Sequence, residues 1–169
     1  MKISDKKLQQ MYDLCGEDLT KERLHSALIL MGKRQLLPEF RKSWTPENPT
    51  KNYCYVVANF VFHYLAPEGS QAYSLKGIPG DDGVHHFVKW PDGEIVDLAV
   101  DQFNNFGQID YSKAEPVGNF PLRSRAKILA SLLGFDSPNK GKGMSSIDTK
   151  ELKLFKGASR VASRYLRSR

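Results

Sequence analysis

His85-His86-Phe87-Val88-Lys89-Trp90-Pro91-Asp92-Gly93-Glu94-Ile95-Val96-Asp97 sets two short runs, rich in apolar and β-branched residues, around a Pro-Asp-Gly turn. The pattern predicts a β-hairpin. Pro91 suits the first turn position, and Gly93 stands where a three-residue loop needs a left-handed residue. Such a loop pairs Trp90 with Glu94, sets Phe87 opposite Asp97 and His85 opposite Ala99, and leaves Asp97 diagonally beside His85 on one face. His86 then falls on the other face. A two-residue Asp92-Gly93 loop would shift the register by one and join Asp97 to His86 instead.

Working outward, Gln71–Ile78, Val84–Trp90 and Glu94–Ala99 are expected as strands, broken by Pro79-Gly80-Asp81-Asp82-Gly83 and by the Pro-Asp-Gly turn. Before them, residues 4–15 and 20–32 repeat apolar positions at helical spacing, with Ser4 and Thr20 as N-caps and Gly16 and Gly32 as stops. The proline-bearing stretch 38–49 is a loop leading to an apolar helix over 52–65, which Thr50 or Asn52 would cap. After the hairpin, Pro121–Leu133 is expected as a helix stopped by Gly134. A polar loop over 136–146 and a basic amphipathic helix over 147–169 follow. Helices, then antiparallel strands, then helices predict a single α+β domain spanning 1–169.

Composition narrows the possibilities. The formal charge of +6 is local: residues 152–169 carry six basic side chains and no acid, and the other 19 basic residues balance 19 acidic ones. Such a tail would gather an anionic substrate or nucleic acid, or form a solvated helix face. No run approaches the roughly 20 apolar residues of a membrane span, so no membrane partner is expected. Cys15 and Cys54 give no metal spacing, and no apolar leader opens the chain, which suggests free thiols in a reducing cytoplasm. No metal site, P-loop or dinucleotide glycine pattern is present, and no cofactor is expected.

Cys54 opens the 52–65 helix, where unpaired N–H groups and the helix dipole favour a thiolate. Cys15, at the end of an amphipathic helix, has no such surroundings and is given no role. His63 lies nine residues along the Cys54 helix, on the far side, and cannot reach the thiol; His25 sits inside the second helix and is structural or exposed. That leaves His85 and His86, with the turn favouring His85. Thiol, histidine and carboxylate in this order suit a nucleophile (Cys54), its base (His85) and the group that orients the base (Asp97). Asn52, Tyr53 and Gln102 are polar candidates for substrate contacts, joined by Arg160 and Arg164 on one side of the basic helix.

The stretch from Asn52 to Phe103 resembles the core of papain-like and transglutaminase-like thiol hydrolases. More narrowly, Cys54-Tyr55-Val56, Gly83-Val84-His85-His86-Phe87-Val88 and Asp97-Leu98-Ala99-Val100-Asp101-Gln102-Phe103 resemble a family of small phage proteins. Those carry Cys-Tyr-Val-Ala, His-Trp-Phe and Asp-Pro-Thr-Ala-Asp-Gln-Phe at similar spacing. The chain departs from them at His86, Leu98 and Val100, where the family has an aromatic, Pro and Ala. The resemblance aligns His85 with the family histidine. It implies an anti-CBASS activity in the host bacterial cytoplasm: cysteine-dependent cleavage of a cyclic dinucleotide such as cyclic GMP-AMP, with Cys54 attacking phosphorus or acting with His85 in proton transfer. Two alternatives stand beside it: a thiol peptidase, amidase or transglutaminase using the same triad, and a non-enzymatic nucleotide or nucleic-acid binder using the basic tail.

Overall fold

The computed structural model describes residues 5–103 and 109–139. Helix α1 (Asp5–Leu14) and helix α2 (Lys21–Met31) come first. Thr20 caps α2 through its hydroxyl, which accepts from the Arg23 N–H at 3.3 Å, and Gly32 ends the helix at φ 59°. Leu24, Ala27, Leu28 and Met31, spaced as one helical face, are all buried. Ser4 lies outside the described residues.

Helix α3 (Cys54–Phe60) continues as a π-helical turn over Val61–Leu65 instead of one regular helix. It is buried nearly all round by Val56, Val57, Ala58 and Phe60, and packs against the strand over His85–Lys89 and the helix over Ser124–Leu133. The expected caps do not cap it. Thr50 spends its hydroxyl on Asp101, and Asn52 adopts a left-handed φ of 64°, so Tyr53 occupies the N-cap without a side-chain bond.

The sheet has four antiparallel strands in the order β3-β2-β1-β4: β1 (Gln71–Leu75), β2 (His85–Lys89), β3 (Ile95–Val96) and β4 (Glu115–Pro116). Val88 pairs with Val96 and Lys89 with Ile95, and Trp90 N–H donates to Glu94 O at 2.9 Å. Gly93 sits at φ 93° and donates to Trp90 O at 2.9 Å, the geometry of a three-residue loop. The register is therefore the one the turn predicts. Strand β3 stops three residues short of the expected Ala99, because the chain turns after Asp97 into a 3-10 turn over Val100–Gln102. Leu98, Ala99 and Val100 go into the core there. Strand β4 was not expected; a two-residue edge strand ending in Pro leaves almost no period to read.

Helix α4 (Ser124–Leu133) begins three residues later than expected. Arg123 stays extended, and its N–H donates to Asn59 Oδ1 at 2.9 Å, while Asn59 Nδ2 donates to Pro121 O at 3.0 Å. Ala126, Leu129, Ala130 and Leu133 form its buried face, and Gly134 ends it in the left-handed region. Each buried leucine on these faces contributes about 1.5–3 kcal/mol, so tertiary burial outweighs intrinsic propensity in holding these short helices.

The main core lies between the helices and one face of the sheet. A smaller cluster of Leu75, Ile78, Phe87 and Phe103, with Tyr73 and Tyr111 beside it, covers the other face. The architecture is α+β. No helix among the described residues is long and apolar enough to cross a membrane. The far end of the polar loop and the basic helix, with Arg160 and Arg164, lie outside the described residues.

Candidate active site

Strand β2 sends its first two side chains to opposite faces. His85 joins the smaller cluster, with its ring edge-on to Phe103 at 4.9 Å and stacked beyond Phe87 at 6.4 Å. His86 faces the helices, edge-on to Tyr55 at 4.9 Å. Cys54, half-buried at the start of α3, meets the beginning of β2, where its Sγ lies 3.7 Å from Val84 O. From there it reaches both histidine side chains. Sequence reasoning expected His86 to be turned away from the chemistry. It is on the other face, yet still beside the thiol.

The His85 ring is fixed at both nitrogens. Nε2 lies 2.6 Å from Asp97 Oδ2, and Nδ1 lies 3.2 Å from Gln102 Nε2. Both His85 and Asp97 are almost wholly buried, at 2% and 1% exposed. Asp97 Oδ2 also accepts from the Tyr111 hydroxyl at 2.7 Å, and the Asp97 N–H points at Met11 Sδ, 3.5 Å away. Nothing in the sequence pointed to Tyr111, because it comes 14 residues after Asp97 on a short 3-10 turn with no periodicity of its own.

Electrostatics follow from this packing. Burial alone would raise the Cys54 thiol, but hydrogen bonds with His85 and His86, the charge on His85 and the His86 backbone outweigh it and bring the pKa down to about 6. Burial alone would lower His85. The Asp97 charge and hydrogen bond, with help from Cys54, instead raise it to about 10. The two directions favour a thiolate–imidazolium pair near neutral pH. Cys15 is different: burial pushes its thiol up to about 12.

The other candidates divide. Gln102 belongs to the site, 4% exposed and against His85. Tyr53, expected as a substrate contact, is completely buried, and its hydroxyl donates to Gly32 O at 2.8 Å; its ring is a core anchor out of a ligand's reach. Asn52 serves as a clamp: its side-chain amide donates to Phe40 O at 3.0 Å and Ser43 Oγ at 2.8 Å. His63 Nε2 lies 2.7 Å from Phe120 O, far from the thiol in role. His25 lies 2.9 Å from Asp101 Oδ2. Lys51 flanks the site, 5.9 Å from the Phe103 ring centre and paired with Asp81 at 3.3 Å. No group of three or more metal-binding side chains occurs among the described residues.

The sequence model of the family described as YunG protein matches residues 18–127, a span that includes Cys54, His85, Asp97, Gln102 and Tyr111. The chain belongs to the YunG family. That match names a family and not an activity. No curated protein and no solved structure matches the chain. Within the YunG span fall all the contacts that fix the His85 ring, whereas the basic tail lies beyond it.

Proposed function

We propose that the protein is a cysteine-dependent hydrolase in which Cys54 attacks a carbonyl carbon, His85 moves the proton and Asp97 orients His85. The observation that carries this reading is the buried carboxylate–imidazole pair at 2.6 Å, set beside a thiol whose pKa is drawn down to about 6. A thiolate needs no further base to attack. The His85 imidazolium then protonates the leaving group, and the neutral ring can take a proton from the water that releases the acyl group. This is the chemistry of the papain-like and transglutaminase-like resemblance.

A second reading keeps the triad and changes the electrophile: cleavage of a cyclic dinucleotide phosphodiester, as the phage resemblance implies, with a linear nucleotide as product. The charge excess of residues 152–169 favours it. Against it, Lys51, which lies over the Phe103 ring that His85 packs against, is already paired with Asp81, and phosphoryl transfer relies on cations around the equatorial oxygens. The carbonyl reading is therefore preferred.

One experiment separates the readings. Wild type and Cys54→Ala are incubated with acyl and peptide reporters and with cyclic dinucleotides, and products and adducts on Cys54 are followed by mass spectrometry. Acyl turnover lost in Cys54→Ala supports the first reading. Linear dinucleotide lost in Cys54→Ala replaces it with the second, and turnover retained by Cys54→Ala overturns both.

A further inference from the structure

The Gln102 side-chain amide has a fixed polarity. Its Oε1 accepts from the Asn52 backbone N–H at 3.3 Å, and its Nε2 donates to Ala99 O at 3.0 Å. A flipped amide would set oxygen against the Ala99 carbonyl and NH2 against the Asn52 N–H, so both backbone groups choose the same orientation. The loops that present these groups are laced together. Asn48 Nδ2 donates to Gln102 O at 3.2 Å, Thr50 Oγ1 to Asp101 Oδ1 at 2.7 Å, and Asn52 is held left-handed by its side-chain bonds to Phe40 and Ser43.

The second N–H of that amide is directed at His85 Nδ1, 3.2 Å away. A donor there requires a lone pair on Nδ1, because Nε2 keeps its hydrogen for Asp97. A doubly protonated ring would set N–H against N–H. We infer that Gln102 is a positioning residue that holds His85 Nδ1 as an acceptor and so opposes transfer of the Cys54 proton to His85. The thiolate–imidazolium pair forms only by breaking this bond, so the amide raises the pH at which Cys54 gives up its proton without preventing it. This rests on the proposed reading of Cys54 and His85 as a reacting pair.

The other charged or titratable groups around the ring are Asp97 with the Tyr111 hydroxyl on its Nε2 side, and Cys54 with His86 beyond the thiol. Tyr12, buried, follows Met11, whose Sδ faces the Asp97 N–H, and Lys51, paired with Asp81, lies over the Phe103 ring. None of them is altered by Gln102→Met, which keeps the length of the side chain and removes its donor.

The test is the pH profile of Cys54 alkylation by iodoacetamide, read by intact mass on a Cys15→Ala background and independent of any substrate. Gln102→Met should move the alkylation midpoint down by about half to one pH unit, the effect of one lost hydrogen bond on the proton balance. In Cys54→Ala, the same change should raise the titration midpoint of the His85 ring followed by nitrogen NMR. A purely structural role predicts the opposite: a loosened site drifts toward ordinary values, and the Cys54 midpoint climbs. An unmoved or rising midpoint overturns the inference. Because no turnover is measured, the result stands apart from whether the hydrolase reading survives.

Discussion

Replacing Asp97 by asparagine keeps the shape of the side chain and removes the charge that does most to raise His85. His85 should lose its hold on a second proton, and Cys54 should rise from about 6 toward an ordinary thiol near ~8.5. At pH 7 the thiolate fraction would fall about 30-fold, but a more basic thiolate is a better nucleophile. With a Brønsted slope of about 0.45, that gain is about 13-fold over the same interval. The net loss of alkylation rate at pH 7 is then only about twofold, too small to decide anything. At pH 5.5 the thiolate fraction falls about 240-fold, which leaves a net loss of about 20-fold. The assay is therefore iodoacetamide alkylation at pH 5.5, with labelled peptides identified by mass spectrometry. Cys15, with its thiol pushed up to about 12, should stay unlabelled. Equal rates for wild type and Asp97→Asn at pH 5.5 would refute the claim that Asp97 acts on the thiol through His85.

Three further outcomes follow from the same contacts. His85→Ala should cost about 10²–10⁴ in turnover, the usual scale for losing a general base, whereas His86→Ala should cost far less, since the Asp97 contact belongs to His85; the reverse ranking in kcat/KM would reassign the base. Tyr111→Phe removes one of the two donors to Asp97 Oδ2 and should lower stability by about 1–3 kcal/mol in urea titration, with the Cys54 alkylation midpoint still well below that of Asp97→Asn. Burial alone would raise Asp101, but His25, Thr50 and Lys21 hold it below the usual carboxylate range. A carboxylate depressed in the fold stabilises above its unfolded pKa of about 3.9 and loses that contribution as the pH falls. Tm measured from pH 6 down to pH 2 should therefore drop less steeply for Asp101→Asn than for wild type.

The hairpin was legible in the sequence because its information is local. Pro91 and Gly93 fix the loop length, the loop fixes the register, and the register sets His85 beside the strand that leads to Asp97. The buried face of α2 was legible for the same reason, carried by residues three and four apart. Contacts between distant segments were not. Thr50 looks like an N-cap until Asp101, 51 residues later, takes its hydroxyl, and Tyr53 looks like a site aromatic until Gly32 claims its OH. Tyr111 reaches Asp97 from a turn that carries no pattern. Gln102 was singled out only as a polar neighbour; the polarity of its amide depends on Asn52 and Ala99 backbone groups that no spacing rule describes.

The thiol, the hairpin that carries the imidazole and the orienting carboxylate, and the tyrosine behind it come from three stretches of chain that meet only in the finished tertiary structure. Asn52 and Gln102 touch across 50 residues of sequence. Closing loops of that length costs entropy before any contact repays it, so an isolated hairpin would hold at most His85 near Asp97, without the thiol, Gln102 or Tyr111. The low thiol pKa is thus a property of the whole fold: a Cys54 that reacts rapidly at pH 5.5 reports a native molecule, and a silent one reports a chain in which these segments have not yet met.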